Sequence, residues 1–191
     1  MASKTELRKL YRQKRFQLGS EKIASLSEQV VKNALLYLAD KPHIHHIHVF
    51  LPIKPLHELN TFPLINALMR QKKAIYTSIS DHERHEMKTV KLTANQDFIA
   101  DRHGIPVPAE WQHGDNSLIQ LIFMPLLAYD LNGHRLGYGK GFYDKFLSQF
   151  SKEVVKAGLS LFSPENQIPV EPHDISLDIC INPNEIVVFD I

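Results

Sequence analysis

The segment Arg135–Asp144, RLGYGKGFYD, holds the most concentrated set of residues suited to chemistry in this chain. Glycine at every second position from Gly137 to Gly141 lets the backbone approach a ligand closely. Arg135 and Lys140 add positive charge, and backbone N–H groups in such a turn often face an anion. The segment is therefore predicted to bind phosphate or another anion.

A buried strand and a helix must position this segment. The apolar run 121–124 predicts the strand, and Asn132–Gly133 predicts a turn after it. Beyond the glycines, Phe142, Phe146 and Phe150 recur at helical spacing. We expect this helix to direct the positive end of its dipole toward the anion.

Residue spacing excludes the two common phosphate motifs. A P-loop requires glycine where His134 stands and serine or threonine where Gly141 stands. A dinucleotide fingerprint requires a third glycine at the position of Phe142. A tight strand-to-helix turn without a ligand therefore remains an open alternative.

The N-terminal region carries a second group of cations. Ser3 and Glu6 have the spacing of a capping box, which predicts a helix that ends at Gly19–Ser20, and a second amphipathic helix follows to Asp40–Pro42. The first helix has a predicted apolar face of Leu7, Leu10, Tyr11 and Leu18 and an opposite basic face of Lys4, Arg8, Arg12 and Arg15. We interpret the basic face as solvated, with an anion site as the alternative.

Histidines at positions 43, 45, 46 and 48 invite a metal-site interpretation. In the strand predicted over His45–Leu51, alternate residues face opposite ways, so His46 and His48 share one face of it. No cysteine or nearby acidic cluster completes a tetrahedral set. We therefore interpret these residues as surface histidines.

The alternation of strands and helices predicts an α/β architecture. A helix is expected to start at Thr61–Pro63, Asp97–Asp101 to form a single helical turn, and Gly104–Pro108 to be extended because of its prolines. Strands are predicted at 45–51, 74–79, 87–92, 121–124, 154–161, 175–181 and 185–189. We predict one domain over residues 1–191, a Rossmann-like three-layer fold with a largely parallel central sheet flanked by helices, on which the N-terminal helices 3–39 pack.

Composition narrows the class of protein. A chain of 191 residues with 43% hydrophobic and 23% charged residues fits a soluble globular protein. The formal net charge of +1 predicts no nucleic-acid partner, and Cys180 as the only cysteine fits a reducing compartment. The sequence shows no signal peptide and no apolar run of membrane-spanning length. We expect a cytoplasmic monomer that binds neither nucleic acid nor membrane.

Two runs in the centre of the chain resemble a known family. Met124–Asp130, MPLLAYD, and Gly133–Asp144, GHRLGYGKGFYD, closely resemble the signature of 5-formyltetrahydrofolate cyclo-ligase, also called 5,10-methenyltetrahydrofolate synthetase. Four further segments resemble other parts of that family in the same order, namely Lys4–Arg8, Phe50–Thr61, Gly104–Pro108 and Val170–Asp178. The resemblance therefore extends over nearly the whole chain.

The resemblance implies a single catalytic domain with ATP-dependent ligase activity. The implied reaction cyclises 5-formyltetrahydrofolate to 5,10-methenyltetrahydrofolate with Mg²⁺ as cofactor and releases ADP and phosphate. A protein catalysing it mainly positions the substrates and neutralises charge. A folate- or nucleotide-binding regulatory module without turnover is the alternative, and a sugar-phosphate or acyl-CoA enzyme is a more distant one, since fold does not determine function.

The same resemblance implies roles for individual residues. It implies Arg135, Lys140 and Asp144 as catalytic residues and Asp144 with Asp174 as ligands of magnesium, a cation that prefers oxygen. The implied ATP-binding residues are Lys4, Thr5, Glu6, Leu7, Arg8, Arg135, Leu136, Gly137, Tyr138, Gly139, Lys140, Gly141, Phe142 and Tyr143. The implied folate-binding residues are Leu51, Glu58, Tyr138, Gly139, Lys140, Gly141 and Phe142.

Overall fold

The computed structural model describes residues 2–102 and 104–190, which form a central eight-stranded sheet with three α-helices. The helices are α1 Lys4–Ala39, α2 Phe62–Arg70 and α3 Phe142–Leu147, with short 3-10 turns at Lys54–Leu56 and Asn116–Leu118. The strands are β1 His46–Val49, β2 Ala74–Asp81, β3 Glu86–Lys91, β4 Phe98–Ala100, β5 Pro106–Pro108, β6 Gln112–His113, β7 Leu121–Pro125, β8 Ala128–Tyr129, β9 Arg135–Leu136, β10 Val155–Leu159, β11 Ile179–Ile181 and β12 Ile186–Val188.

The central sheet has the strand order β12-β11-β10-β7-β1-β2-β3-β6. The strands from β11 to β2 in this order are mutually parallel. Antiparallel strands occupy the edges, with β12 on one side and β3 and β6 on the other. The prediction of a largely parallel sheet is confirmed, and its parallel part directs the carboxyl ends of β1, β2 and β7 to one edge.

Helices cover both faces of the sheet. The second half of α1 places Val30 and Ala34 in one buried cluster with Ile47 and Phe123 of the sheet, and α2 packs against the same face. α3 contributes Phe146 to a separate cluster on the opposite face. This arrangement confirms the three-layer α/β prediction.

α1 is interrupted at Gly19, whose φ of 71° and ψ of 164° are not helical. Such a positive φ favours glycine, so the predicted helix boundary lies at a real break in the helical geometry. The predicted capping box also forms, since Glu6 N donates to Ser3 Oγ at 3.2 Å and Ser3 N donates to Glu6 Oε2 at 2.7 Å. The break lets the cationic first half of α1 take its own direction while the second half packs on the sheet.

The helical turn predicted for Asp97–Asp101 is wrong, because Phe98–Ala100 forms strand β4 and pairs antiparallel with β5. Within the predicted extended segment Gly104–Pro108, Pro106–Pro108 is extended, whereas Gly104 has a φ of 74° and lies in a turn in which its N donates to Asp101 O at 3.0 Å. The extended strand β5 offers backbone hydrogen bonds to the segment around β4. For example, Asp101 N donates to Ile105 O at 2.9 Å. The pairing partner therefore decides the conformation of this short segment.

His48 is fully buried, so the interpretation as a surface histidine is wrong for this residue. It lies on β1, a central parallel strand whose two faces are both covered. Its Nε2 forms a hydrogen bond with Ser78 Oγ at 2.6 Å, and burial lowers the pKa of His48 to about 3. His43 and His45 are exposed, as predicted.

None of the described helices combines the length and the hydropathy needed to cross a membrane.

Acid should destabilise the fold through His48. Its pKa of about 3 lies below the ordinary value, so at low pH the unfolded chain takes up a proton that the folded chain excludes. Stability is therefore lost as the pH falls from about 6.5 toward 3, by roughly 2 kcal/mol near pH 5. We expect His48→Gln to lack this loss and His45→Gln to retain it, measured by urea denaturation at neutral and acidic pH. Equal losses in wild type and His48→Gln would contradict the prediction.

Candidate active site

A cleft of about 620 Å³ opens at the carboxyl ends of β1, β2 and β7. Phe50 follows β1, Ser78 and Ser80 lie in the second half of β2, and Pro125 ends β7, and all of them line the cleft. Open α/β sheets bind ligands at this edge, and the volume is typical of small-molecule sites. The sheet topology therefore provides a ligand-sized cleft.

The glycine-rich segment forms one wall of the cleft. β8 and β9 pair antiparallel, with Ala128 opposite Leu136, and turn the chain back before the glycines. Gly139 and Gly141 have φ of 90° and 67°, which favour glycine. α3 then begins at Phe142 but is only six residues long, so its dipole is small. The side-chain cations Arg8, Arg135 and Lys140 add positive charge to this wall beside the N-terminus of α3.

Arg8 extends from α1 into the glycine-rich loop. Its Nε donates to Gly137 O at 3.1 Å. A Cβ atom on Gly139 would lie 2.8 Å from Arg8 Cζ, so the guanidinium occupies the space that a side chain would need. A side chain at Gly139 would therefore force the Arg8 guanidinium to shift from its present contact with the loop.

The basic face of α1 is turned toward the protein, so its interpretation as a solvated face is wrong. Lys4 Nζ lies 2.5 Å from Asp174 Oδ2 and 3.2 Å from Glu171 Oε2, and Arg15 is only 3% exposed. Arg12 is the one exposed member of this face. The covering segments come from the glycine-rich loop and the C-terminal loop, which are distant in sequence.

A largely buried ion pair joins Arg135 to Asp144. Arg135 Nη2 donates to Asp144 Oδ1 at 2.6 Å, and Ile175 N donates to the same oxygen at 3.2 Å. Burial lowers the pKa of Arg135, while the carboxylates of Asp144 and Asp174 oppose that shift. An arginine side chain remains charged in proteins, so Asp144 holds a charged guanidinium in a defined position in the cleft wall.

Carboxylates gather on the side of the cleft formed by the C-terminal loop. Glu171, His173 and Asp174 have potential ligand atoms within 4.8 Å of one another, and Asp144 lines the same cleft. Asp144 Oδ2 and Asp174 Oδ1 accept no hydrogen bond from residues 2–102 and 104–190. Carboxylate oxygens with free lone pairs fit a hard divalent cation that keeps several waters. The two predicted ligands thus border one space, with Glu171 and His173 as further donors that were not predicted.

Asp174 is held in its ionised form. Burial raises its pKa, but hydrogen bonds from Lys4 Nζ and Glu171 N, together with the charge of Lys4, lower the pKa overall. The carboxylate is therefore available to a cation, although Lys4 now satisfies one of its oxygens.

Glu58 and Tyr138 form another part of the cleft wall. Glu58 is 6% exposed, its Oε2 accepts a hydrogen bond from Ile53 N at 2.8 Å, and its Oε1 accepts one from the Tyr138 hydroxyl. Burial raises the pKa of Glu58, while these hydrogen bonds and the charge of Arg15 oppose the increase. Leu51 adds an apolar surface to the same lining. This region suits a flat ligand that presents N–H donors.

The structure brings most of the predicted site residues to the cleft lining. The predicted residues found there are Lys4, Arg8, Leu51, Glu58, Arg135, Leu136, Gly137, Tyr138, Gly139, Lys140, Gly141, Phe142, Tyr143, Asp144 and Asp174. Thr5 and Glu6 are exposed outside the lining, and Leu7 packs in an apolar cluster with Tyr11. Leu10, predicted on the apolar face of the helix, is 42% exposed.

Several lining residues were not predicted. Ser78 and Ser80 add hydroxyl groups. Single hydroxyl residues carry no spacing signal, so sequence inspection could not have found them. Phe50 and Pro106 add apolar surface, and they lie in Phe50–Thr61 and Gly104–Pro108, two of the segments that resemble the family. Arg12 also lines the cleft, and its place in the basic face was a signal that the solvated interpretation discarded.

The fold and the cleft define an α/β protein whose cleft has a wall rich in cations beside an acidic, partly apolar one. The sequence model of the 5-formyltetrahydrofolate cyclo-ligase family matches residues 1–183. The chain therefore belongs to the 5-formyltetrahydrofolate cyclo-ligase family, a family of ligases.

Individual relatives agree with this assignment. The 5-formyltetrahydrofolate cyclo-ligase of Mycoplasma pneumoniae is 26% identical over 179 residues, covering 94% of this chain and 98% of the relative. The mouse protein of the same name is 30% identical over 144 residues, covering 69% of this chain and 70% of the mouse protein.

Solved structures show the same fold. The NMR structure of Aquifex aeolicus 5,10-methenyltetrahydrofolate synthetase matches with a TM-score of 0.81 at 27% identity, covering 97% of this chain and 92% of that one. The 5,10-methenyltetrahydrofolate synthetase structure from Mycoplasma pneumoniae matches with a TM-score of 0.78 at 23% identity, covering 96% of this chain and 100% of that one.

The ion pair of Arg135 with Asp144 should contribute more to the free energy of unfolding than the exposed ion pair of Lys145 with Glu86. Asp144→Ala leaves the guanidinium of Arg135 without its carboxylate, and we expect a loss of about 2 kcal/mol in the free energy of unfolding. In the exposed pair, Lys145 Nζ lies 3.2 Å from Glu86 Oε1, and we expect Glu86→Ala to change stability by less than about 0.5 kcal/mol. Urea denaturation of both variants tests the comparison, and equal effects would contradict it.

Proposed function

We propose that this protein converts 5-formyltetrahydrofolate to 5,10-methenyltetrahydrofolate, using ATP and Mg²⁺ and releasing ADP and phosphate. The observation that carries the proposal is one cleft in which the family's glycine-rich signature meets Lys4, Arg8 and Asp174 from the two ends of the chain. Family membership supplies the reaction class. The cleft supplies cations for a polyphosphate, carboxylates for a divalent cation and an apolar wall for an aromatic ring.

In the proposal, ATP lies at the cationic part of the cleft. Lys4 and Arg8 of the segment Lys4–Arg8 contact its phosphates, and the loop Arg135–Tyr143 wraps around them. Arg135 and Lys140 neutralise the negative charge that moves during phosphoryl transfer. This placement is supported by the position of all four cations in the cleft lining.

Asp144 and Asp174 would hold the magnesium ion. Bound there, the ion would supply charge neutralisation to the phosphates. The ion pair with Asp144 also orients Arg135. The ion pair with Lys4 orients the carboxylate of Asp174. These pairs support a site in which the positions of cations and carboxylates are set before a substrate arrives.

In the proposal, the folate lies against Leu51 and Glu58, with Tyr138–Phe142 between it and ATP. The buried carboxylate of Glu58 accepts hydrogen bonds from N–H groups of the pterin.

The formyl oxygen of the folate attacks the γ-phosphorus as the bond to ADP breaks. The folate N10 then attacks the formyl carbon and loses its proton, and the carbon–oxygen bond breaks to release phosphate. The protein contributes mainly orientation and charge neutralisation to these steps.

We further propose that residues 1–191 act as one catalytic domain, as a monomer in the cytoplasm. Cys180 fits a reducing compartment, because it is the only cysteine of the sequence and therefore forms no disulfide within the chain.

An absorbance assay tests the proposed reaction. Protein incubated with 5-formyltetrahydrofolate, ATP and Mg²⁺ should give a rise in near-ultraviolet absorbance from the methenyl product. A metal chelator should abolish the rise and excess Mg²⁺ should restore it. Folate binding by calorimetry without any product after long incubation would contradict the proposal and support a regulatory binding module instead.

Gly139→Ala tests the proposed role of the glycine-rich loop toward ATP. The new Cβ would lie 2.8 Å from Arg8 Cζ and would displace the guanidinium. We expect kcat/KM for ATP to fall about tenfold or more.

Gly104→Ala is the matched control for Gly139→Ala. Gly104 also has a positive φ, of 74°, but no atom within 4 Å of the added Cβ. It therefore reports the effect of backbone strain without the clash. Near-normal use of ATP by Gly139→Ala, or equal losses in both variants, would contradict the role assigned to the loop.

A further inference from the structure

Arg15 is a buried cation to which the proposed reaction assigns no role. It lies on α1, one turn beyond Tyr11, and is 3% exposed. Its Nη2 donates to Leu126 O, and its Nε is buried without a partner among the described residues. Burial of a guanidinium with an unsatisfied nitrogen is unfavourable, so its position requires an explanation.

Arg15 is the first member of a chain of hydrogen bonds that ends in the cleft. Its Nη1 donates to the Tyr138 hydroxyl oxygen at 2.6 Å. The Tyr138 hydroxyl then donates to Glu58 Oε1, while Ile53 N donates to Glu58 Oε2 at 2.8 Å. Tyr138 and Glu58 line the cleft, whereas Arg15 lies behind it. The chain thus connects three parts of the molecule: α1, the glycine-rich loop and the segment after β1.

We propose that Arg15 is a positioning residue for the folate: by holding the Tyr138 hydroxyl, it fixes the Glu58 carboxylate as a hydrogen-bond acceptor in the cleft wall. This inference rests on the proposed function, because it takes Glu58 to be the group that receives the pterin.

The direction of the hydrogen bonds supports this role. A guanidinium only donates, so the Tyr138 oxygen accepts from Arg15 and its single proton points to Glu58. The carboxylate receives one hydrogen bond on each oxygen, and each oxygen keeps a lone pair for a ligand. Without Arg15, the Tyr138 hydroxyl could rotate, and Glu58 would lose its fixed orientation.

Charge supports the same role. Burial raises the pKa of Glu58, and the charge of Arg15 and the two hydrogen bonds oppose the rise. The titratable groups that face Glu58 are Arg15 from α1, Tyr138 from the loop and Tyr143 from α3. Arg15 is the only permanent cation among these described groups. Its loss would favour protonation of Glu58, and a protonated carboxyl cannot accept N–H donors in the same way.

Arg12 provides a matched control on the same helix. Its Cζ lies 5.8 Å from the centroid of the Tyr138 ring, and Arg15 Cζ lies 5.9 Å from it. Arg12 is exposed, and in the described part of the chain it forms no hydrogen bond with Tyr138. Replacement of Arg12 therefore removes a cation that is equally near the Tyr138 ring and leaves the hydrogen-bond chain intact.

The test compares Arg15→Met, Arg15→Lys and Arg12→Met in steady-state kinetics between about pH 6 and about pH 8.5. For Arg15→Met we expect KM for 5-formyltetrahydrofolate to rise about tenfold, with KM for ATP within about twofold of wild type. The rise should increase as the pH falls, because acid protonates a Glu58 that has lost its cation. Arg15→Lys should restore part of the affinity, and Arg12→Met should leave the pH dependence of the folate KM unchanged.

Tyr138→Phe tests the chain independently if Arg15→Met does not fold. It removes the connecting hydroxyl and leaves Arg15 in place, and the same rise in folate KM is expected. A wild-type pH profile and folate KM in Arg15→Met, or in Tyr138→Phe, would overturn the proposal and leave Arg15 as an anchor for Leu126 O only.

Calorimetry with 5-formyltetrahydrofolate separates this inference from the proposed reaction. If wild-type protein binds the folate but forms no product, the reaction fails, and an affinity about tenfold weaker in Arg15→Met still supports the positioning role. Unchanged affinity in Arg15→Met overturns the positioning role, whatever the outcome for turnover.

Discussion

The contact between the first half of α1 and the glycine-rich loop is the constraint on which the cleft depends. Arg8 donates to Gly137 O, and Arg15 donates to the Tyr138 hydroxyl. Guanidinium groups removed from water need polar partners, and the loop supplies both of them. A displacement of the loop would leave these cations unsatisfied, so the helix and the loop hold each other in one arrangement. The break at Gly19 allows this half of α1 to adopt the required direction.

Paired charges make a strongly charged cleft compatible with a stable fold. Lys4 pairs with Asp174, and Arg135 pairs with Asp144. Each of these four charged groups therefore has a partner of opposite charge. A ligand that combines anionic phosphates with a divalent cation would offer new partners to both members of each pair. Exchange of partners could then proceed without an uncompensated buried charge, which would be strongly unfavourable.

The parallel sheet determines where these pieces meet. Because β1, β2 and β7 end at the same edge, Phe50, Ser78 and Pro125 approach one another from separate parts of the chain. The same coverage of both faces buries His48, whose hydrogen-bond partner Ser78 lines the cleft. The glycine-rich loop and the C-terminal loop complete the walls above this edge.

Periodicity and turn chemistry by themselves determined most elements of the fold, the break at Gly19 and the extended prolines. They did so because these features depend on residues within a few positions of one another. The family was implied separately, by the resemblance of the run around Arg135–Asp144 to a known signature. Tertiary structure alone decided that Arg15 and His48 are buried and that Phe98–Ala100 is a strand. It also decided which carboxylate each cation of the cleft pairs with. Burial and pairing depend on segments far apart in the sequence, which local patterns do not report.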